Sequence, residues 1–155
     1  AGMPDGSIAS REYVLHPGAA IILPVFNDGS ILLERQFRYA LGSHFYELPA
    51  GKLETGEAAL ATAQRELLEE TGYVAAQWRA LGIFHPCIGY SNERIDFFLA
   101  RELEFKGAHL DDGEFLETLR MPLAECLDWI RQGRITDTKT IIGLFWAEKI
   151  LREGW

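Results

Sequence analysis

Apolar and polar positions follow two different rhythms along this chain, and each change of rhythm marks an element. Residues 18–25, GAAIILPV, are a continuous apolar run with β-branched members, which predicts a buried strand. Asn27-Asp28-Gly29 is a turn signal, and residues 30–36 predict a second strand that forms a hairpin with the first. A loop over 40–44 leads to a short strand at 45–48, which delivers Pro49-Ala50-Gly51 to a helix start. Leu60, Ala63, Leu67 and Thr71 recur at helical spacing and predict a core-facing stripe. Residues 75–84 and 93–101 predict strands separated by the loop HPCIGYSN, 85–92. A loop over 105–113 runs into the acidic tract Asp111-Asp112-Gly113-Glu114, and 115–120 predicts another strand. Residues 122–132 predict a helix with Leu123, Cys126, Leu127 and Ile130 on one side, closed by Gly133. Thr136 or Asp137 caps a last helix to about Arg152, carrying Ile141, Leu144, Phe145 and Ile150. Residues 1–15 are expected to be a flexible lead-in, with 12–15 able to form a short strand. Strands with interspersed helices indicate one α/β domain over 16–155, a mixed sheet sandwiched between helices.

Bulk properties narrow the function classes. At 155 residues the chain suits a single domain with a sizeable core. A net charge of −8 argues against a nucleic-acid backbone as partner, which needs a basic surface. Cys87 and Cys126 have no metal-ligand spacing and make no disulfide framework, so each is expected to be a small buried or half-buried hydrophobe. No stretch approaches the ~18 apolar residues of a membrane span, and no signal peptide opens the sequence. A cytoplasmic location is the expectation.

The chemistry concentrates in residues 51–73, GKLETGEAALATAQRELLEETGY. On a helix, Glu66, Glu69 and Glu70 stand at i, i+3 and i+4 and cluster on one face. Carboxylates that close repel and raise one another's pKa values, a conflict that a divalent cation relieves. All-oxygen ligands select a hard ion, Mg²⁺ or Mn²⁺. Arg65 is placed to orient one carboxylate, and Gly51 and Gly72 bracket the segment where the chain must turn. An ordinary solvated acidic face would explain isolated glutamates but not the whole spacing.

That spacing resembles the Nudix box, G-x5-E-x7-R-E-U-x-E-E-x-G-U with U a bulky apolar residue; Tyr73 meets the last U loosely. The resemblance continues through HPGAAIILP, LLERQFRYA, YELPAGKLETGE, PCIGYSNE and GRITDTKT, and is similar to the ADP-ribose pyrophosphatase group of Nudix hydrolases. It implies a Nudix fold, a homodimer, and Mg²⁺ (or Mn²⁺) as cofactor. It implies that Glu66 and Glu70 bind metal, that Glu69 binds metal or holds the attacking water, and that the Ala50 carbonyl completes the shell. Glu57 then supports the box by pairing with Arg65. Arg38 matches a phosphate-contacting position, a task its fork suits, and Arg35 is a second candidate. Glu93 is a candidate for a ribose hydroxyl. In the late acidic loop, Glu114 falls on a ligand-like position and Asp112 on a base-like one, where aspartate reaches less far than glutamate. Only some fifteen residues precede HPGAA, fewer than in many members, so the aromatic residues Phe37, Tyr39, Phe45 and Tyr46 are considered for the base, with packing the ordinary role of each.

The implied reaction is Mg²⁺-dependent hydrolysis of a nucleoside diphosphate linked to another moiety, with ADP-ribose giving AMP and ribose 5-phosphate. A carboxylate, Glu69, Asp112 or Glu114, would serve the attacking water. The alternatives are a pyrophosphatase of another nucleotide sugar or dinucleotide, a hydrolase of damaged nucleoside triphosphates, or a catalytically silent domain that binds a nucleotide to regulate a partner.

Overall fold

The apolar run near the start becomes the strand on which the two faces of the molecule are built. The computed structural model describes residues 2–107 and 116–154. In chain order its elements are β1 (Ala19–Pro24), β2 (Ser30–Arg38), a 3-10 turn (Tyr39–Leu41), β3 (Ser43–Glu47), β4 (Ala50–Lys52), α1 (Ala59–Thr71), β5 (Tyr73–Phe84), β6 (Ile95–Phe105), β7 (Leu116–Pro122), α2 (Leu123–Arg131) and α3 (Thr138–Glu153). Two sheets form, ordered β4-β1-β6-β5 and β3-β2-β7. β1 runs parallel to β6 and antiparallel to β4, so the first sheet is mixed.

Strand periodicity explains why β1 tolerates no polar residue. Ala20 and Ile22 face Ala63 and Leu67 of α1, together with Phe98 and Ala100 of β6. Ile21, Leu23 and Val25 point the other way, into a larger cluster with Ile31 and Leu33 of β2, Phe97 of β6, Cys126 and Trp129 of α2, and Leu144 of α3. The expected α/β class and the helices on both sides of the sheet are present. Cys126 is fully buried, and burial pushes its thiol up to about 12, which suits an inert small hydrophobe.

Several local expectations are corrected. β1 and β2 are not a hairpin: after the turn at residues 27–29 a single bridge, Val25 to Ile31, joins them, and they diverge into separate sheets. Both are buried strands whose partners come from later in the chain, which outweighs the local turn signal. Residues 12–15 form no strand, only a bridge from Val14 to Ser91. Ala50 and Gly51 do not begin the helix; they lie in β4, and α1 starts at Ala59. Leu60 is 40% exposed, and Thr62, next to Ala63, takes its place inside. β6 continues four residues past Arg101, and Phe145 of α3 is half exposed while Gly143 and Ala147 are buried. Gly72 ends α1 at φ 74°, its N–H donating to the Leu68 carbonyl, as a left-handed cap requires. Asp137 caps α3 by accepting from the Thr140 N–H.

α3 lies so close to the sheet that a Cβ on Gly143 would stand 2.4 Å from Leu48 Cδ1 and 2.9 Å from Phe97 Cζ. In an exposed helix Gly→Ala gains about 1 kcal/mol from propensity. Here overpacking reverses the sign, and Gly143→Ala should destabilise by about 1–3 kcal/mol in urea unfolding. A more stable variant would show that this contact is loose.

Candidate active site

The box glutamates open onto a cleft of about 1060 Å³. Its floor comes from α1 and β4, through Glu66, Glu70, Ala50 and Gly51. β2 contributes Gln36 and Arg38, and the start of α3 contributes Asp137 and Lys139. The segment before β6 adds Pro86, Cys87, Tyr90 and Glu93, and His16 comes from the lead-in.

Arg65 organises the carboxylates. Its Nη1 donates to Glu66 Oε1 and Glu69 Oε2, both at 2.9 Å, while Nε and Nη2 fork onto Glu57 at 3.1 Å. A planar guanidinium with five fixed donors suits this role, which a lysine could not fill. Glu57 also accepts from Thr62 Oγ1 at 2.8 Å. Arg65 first, then Thr62, holds the Glu57 carboxyl down at about 2. Reciprocally, the Glu57 hydrogen bonds raise the Arg65 guanidinium further above its ordinary value. Glu70 is buried, and the Ala50 N–H donates to its Oε2 at 3.2 Å.

Gly51 leaves room for this arrangement. A Cβ there would fall 1.8 Å from Cδ and Oε1 of Glu66, so the Glu66 carboxylate occupies space that only glycine vacates.

The structure thus brings Ala50, Gly51, Arg65, Glu66, Glu70, Arg38 and Glu93 to one cleft, with Glu57 paired to Arg65 as the resemblance implied. Glu69 is tied to Arg65 and partly exposed. Arg35 is not brought there; its Nη1 pairs with Glu117 of β7 at 3.1 Å, because alternation along β2 sends it away from Gln36 and Arg38. Asp111, Asp112 and Glu114 lie outside the described residues. Among the aromatic candidates, Tyr46 packs on Trp129 and Phe37 on His44, while Tyr39 is 93% exposed. Among the described residues the aromatic side chain lining the cleft is Tyr90. Sequence reasoning also missed His16, whose Nε2 stands 3.9 Å from Glu93 Oε1, and the Glu47–Lys139 pair. The signals were present in HPGAA, YELPAG and TDTKT, but nothing local said which side chains would meet.

The NUDIX domain family model matches residues 15–139. This chain belongs to the Nudix family. It is 40% identical over 144 residues to the methanol dehydrogenase activator of Bacillus methanolicus, covering 92% of this chain and 78% of that protein. It is 39% identical over 140 residues to the ADP-ribose pyrophosphatase of Bacillus subtilis (strain 168), covering 89% and 76%. A crystal structure of an ADP compounds hydrolase superposes with a TM-score of 0.80 at 24% identity, over 88% of this chain and 74% of that one, which shows the same fold.

The Nudix donor set fits a hard divalent cation. Glu66 and Glu70 line the cleft floor with carboxylate oxygens, Gly51 making the room that Glu66 occupies, and oxygen donors of this kind suit such an ion. Among the described residues these carboxylates do not form a cluster of three metal-holding groups.

Two outcomes follow for this Nudix site. Gly51→Ala should displace Glu66 and lower kcat/KM by roughly 10- to 100-fold, as loss of a ligand-orienting element does. Activity equal to the parent would show that Glu66 need not sit there. The Glu57 carboxyl is depressed from 4.5 to about 2, so its stabilising contribution is complete above about pH 4.5 and is lost as pH falls towards 2. The stability gap between parent and Glu57→Gln in urea unfolding should therefore be wide at pH 7 and narrow at pH 3. A gap independent of pH would show that the charge on Glu57 does not matter.

Proposed function

We propose that this Nudix hydrolase cleaves the pyrophosphate bond of ADP-ribose, giving AMP and ribose 5-phosphate, with Mg²⁺ as cofactor. The observation that carries the reading is the juxtaposition, in one cleft, of Glu66 and Glu70 with the cationic Arg38 and Lys139. One group of residues suits a divalent cation and the other suits the oxygens of a diphosphate. The similarity to the Bacillus subtilis ADP-ribose pyrophosphatase supports the choice of substrate.

Glu66, Glu70 and the Ala50 carbonyl would hold Mg²⁺, with Glu114 as a further ligand. When bound, the cation supplies charge neutralisation on the diphosphate and lowers the pKa of water near it. Arg38 binds and orients phosphate oxygens, which places the phosphorus for in-line attack. Glu69, Asp112 or Glu114 accepts the proton of the attacking water as its oxygen bonds to phosphorus and the bridging P–O bond breaks. Glu93 and His16, 3.9 Å apart in the same cleft, would receive a ribose hydroxyl. The reading also carries a homodimer and a cytoplasmic location. Exposed Tyr13, Val14, Leu15, Ile83 and Ile88 offer apolar surface for a second copy, and no helix of the described residues is long and apolar enough to cross a membrane.

Incubation with ADP-ribose, GDP-mannose, NADH and a nucleoside triphosphate set, with Mg²⁺ or Mn²⁺ and product chromatography, tests the substrate. AMP from ADP-ribose ahead of all others is expected; preference for another member would reassign it. A second reading has a specific support in the methanol dehydrogenase activator relative: nucleotide binding that regulates a partner. Tight binding without product release would favour it. Glu70→Gln should keep the fold, since an amide oxygen can still accept from Ala50, while kcat falls on the order of 100-fold. Parent-like turnover at saturating Mg²⁺ would remove Glu70 from the ligand set.

A further inference from the structure

Asp137, Lys139 and Thr140 form a network with the strand-end Glu47, a carboxylate whose role the proposed reaction leaves unexplained. Glu47 ends β3 at 3% exposure, a burial that carboxylates accept only when paired. Its Oε1 accepts from Arg38 Nε at 2.7 Å, and its Oε2 accepts from Arg38 Nη2 at 2.8 Å and Lys139 Nζ at 2.6 Å. Burial by itself would raise the Glu47 carboxyl; Arg38 and then Lys139 overcome that and hold it below its ordinary value, so it stays charged. The fork uses one edge of the guanidinium, and among the described residues Arg38 Nη1 makes no hydrogen bond, while the side chain remains 45% exposed and lines the cleft.

The chain of bonds continues to the carboxylate floor. Lys139 Nζ also donates to Asp137 Oδ1 at 2.9 Å. Asp137 Oδ2 accepts from the Thr140 N–H at 2.9 Å and from Thr140 Oγ1 at 2.6 Å, and Thr140 Oγ1 in turn accepts from the Leu48 N–H at 2.9 Å. Two residues on, the Ala50 N–H donates to Glu70. Arg38, Lys139 and the floor are therefore set relative to each other by one connected set of groups, centred on a carboxylate that points at no solvent.

We propose that Glu47 is a positioning residue, which fixes Arg38 and Lys139 as a cation pair on the cleft wall so that both receive the substrate's diphosphate oxygens. Lys139 becomes a further phosphate-binding residue, and Asp137 and Thr140 hold the pair in register with Glu70. This deepens the ADP-ribose reading and rests on it for the identity of the anion. Pre-orientation matters because two long cationic side chains each lose rotamer freedom on binding; a site that has already ordered them binds more tightly.

The test is a double-mutant cycle. Glu47→Gln, Lys139→Met and their combination are compared for KM and kcat with ADP-ribose, and by calorimetric titration with ADP in the absence of metal. Each single variant should raise KM, and weaken ADP binding, by roughly tenfold, the effect of losing one charge-assisted hydrogen bond. The double variant should be little worse than either alone, because both act through one arrangement. Lys139→Arg should recover part of the loss. A Glu47 that only stabilises the fold would lower the melting temperature and leave KM and ADP affinity unchanged, which overturns the proposal, as would strictly additive effects. If Glu47→Gln does not fold, Lys139→Met decides alone: unchanged KM and ADP affinity reject the pair. A parent inactive on ADP-ribose would reject the proposed substrate, and the ADP titrations would still decide on Glu47.

Discussion

Everything at this site depends on keeping several carboxylates of one helical turn in a shared space without mutual repulsion driving them apart. Arg65 offsets that repulsion by bonding to Glu57, Glu66 and Glu69. One guanidinium spans Glu57, Glu66 and Glu69, and its planar geometry dictates where each oxygen sits. The remaining requirement is volume. Glu66 lies where a side chain on residue 51 would be, so a strand with no Cβ must run beside the helix. β4 meets that need, and it is held in place by pairing with β1. A surface acidic patch would instead spread its side chains into water; here burial of Glu70 and the clamp on Glu66 pre-order the two carboxylates.

The core serves this arrangement by fixing two distances. β1 is packed on both faces, so α1 on one side and α3 on the other are referred to the same strand. Gly143 lets α3 approach until it touches Leu48 and Phe97, which brings Lys139 within hydrogen-bonding reach of both Glu47 and Asp137. The close approach of a helix to a sheet, a packing feature, thereby becomes part of the site's electrostatics. Without it, Lys139 would be an ordinary solvated cation at the start of a helix.

Charge is divided unevenly across the molecule. The chain carries a net −8, yet one wall of its cleft is built around Arg38 and Lys139. Glu47 is what lets two cations share that wall at short range, and Asp137 and Glu70 add further attraction for Arg38 beyond that of Glu47. An acidic protein can thus carry a cationic wall and an acidic floor in one cleft. Both features are short-ranged, which suits a ligand that brings negative charge and shares a metal with the protein.

The resemblance implied the Glu57–Arg65 pairing, while the helix with its glutamates, the buried strand at 18–25, the cap at Gly72 and a cap for α3 at Thr136 or Asp137 were legible in the residues themselves. Each rests on neighbours a few residues apart, where spacing and geometry are nearly the same thing. Strand partnership was not legible: the turn at residues 27–29 argued for a hairpin, but β1 takes its partners from β4 and β6, far along the chain, because burying both faces outweighs one turn. The same limit applied to the site. Arg35 and Arg38 look alike in RQFRYA, and only the direction of the pleat and the position of β7 send one to Glu117 and the other to the cleft. Glu47 and Lys139 are 92 residues apart, and no local rule pairs them. Local chemistry determined which carboxylates gather on α1; long-range packing decided which distant charges face them, because a side chain's partner across an interface is set by the registry of whole elements.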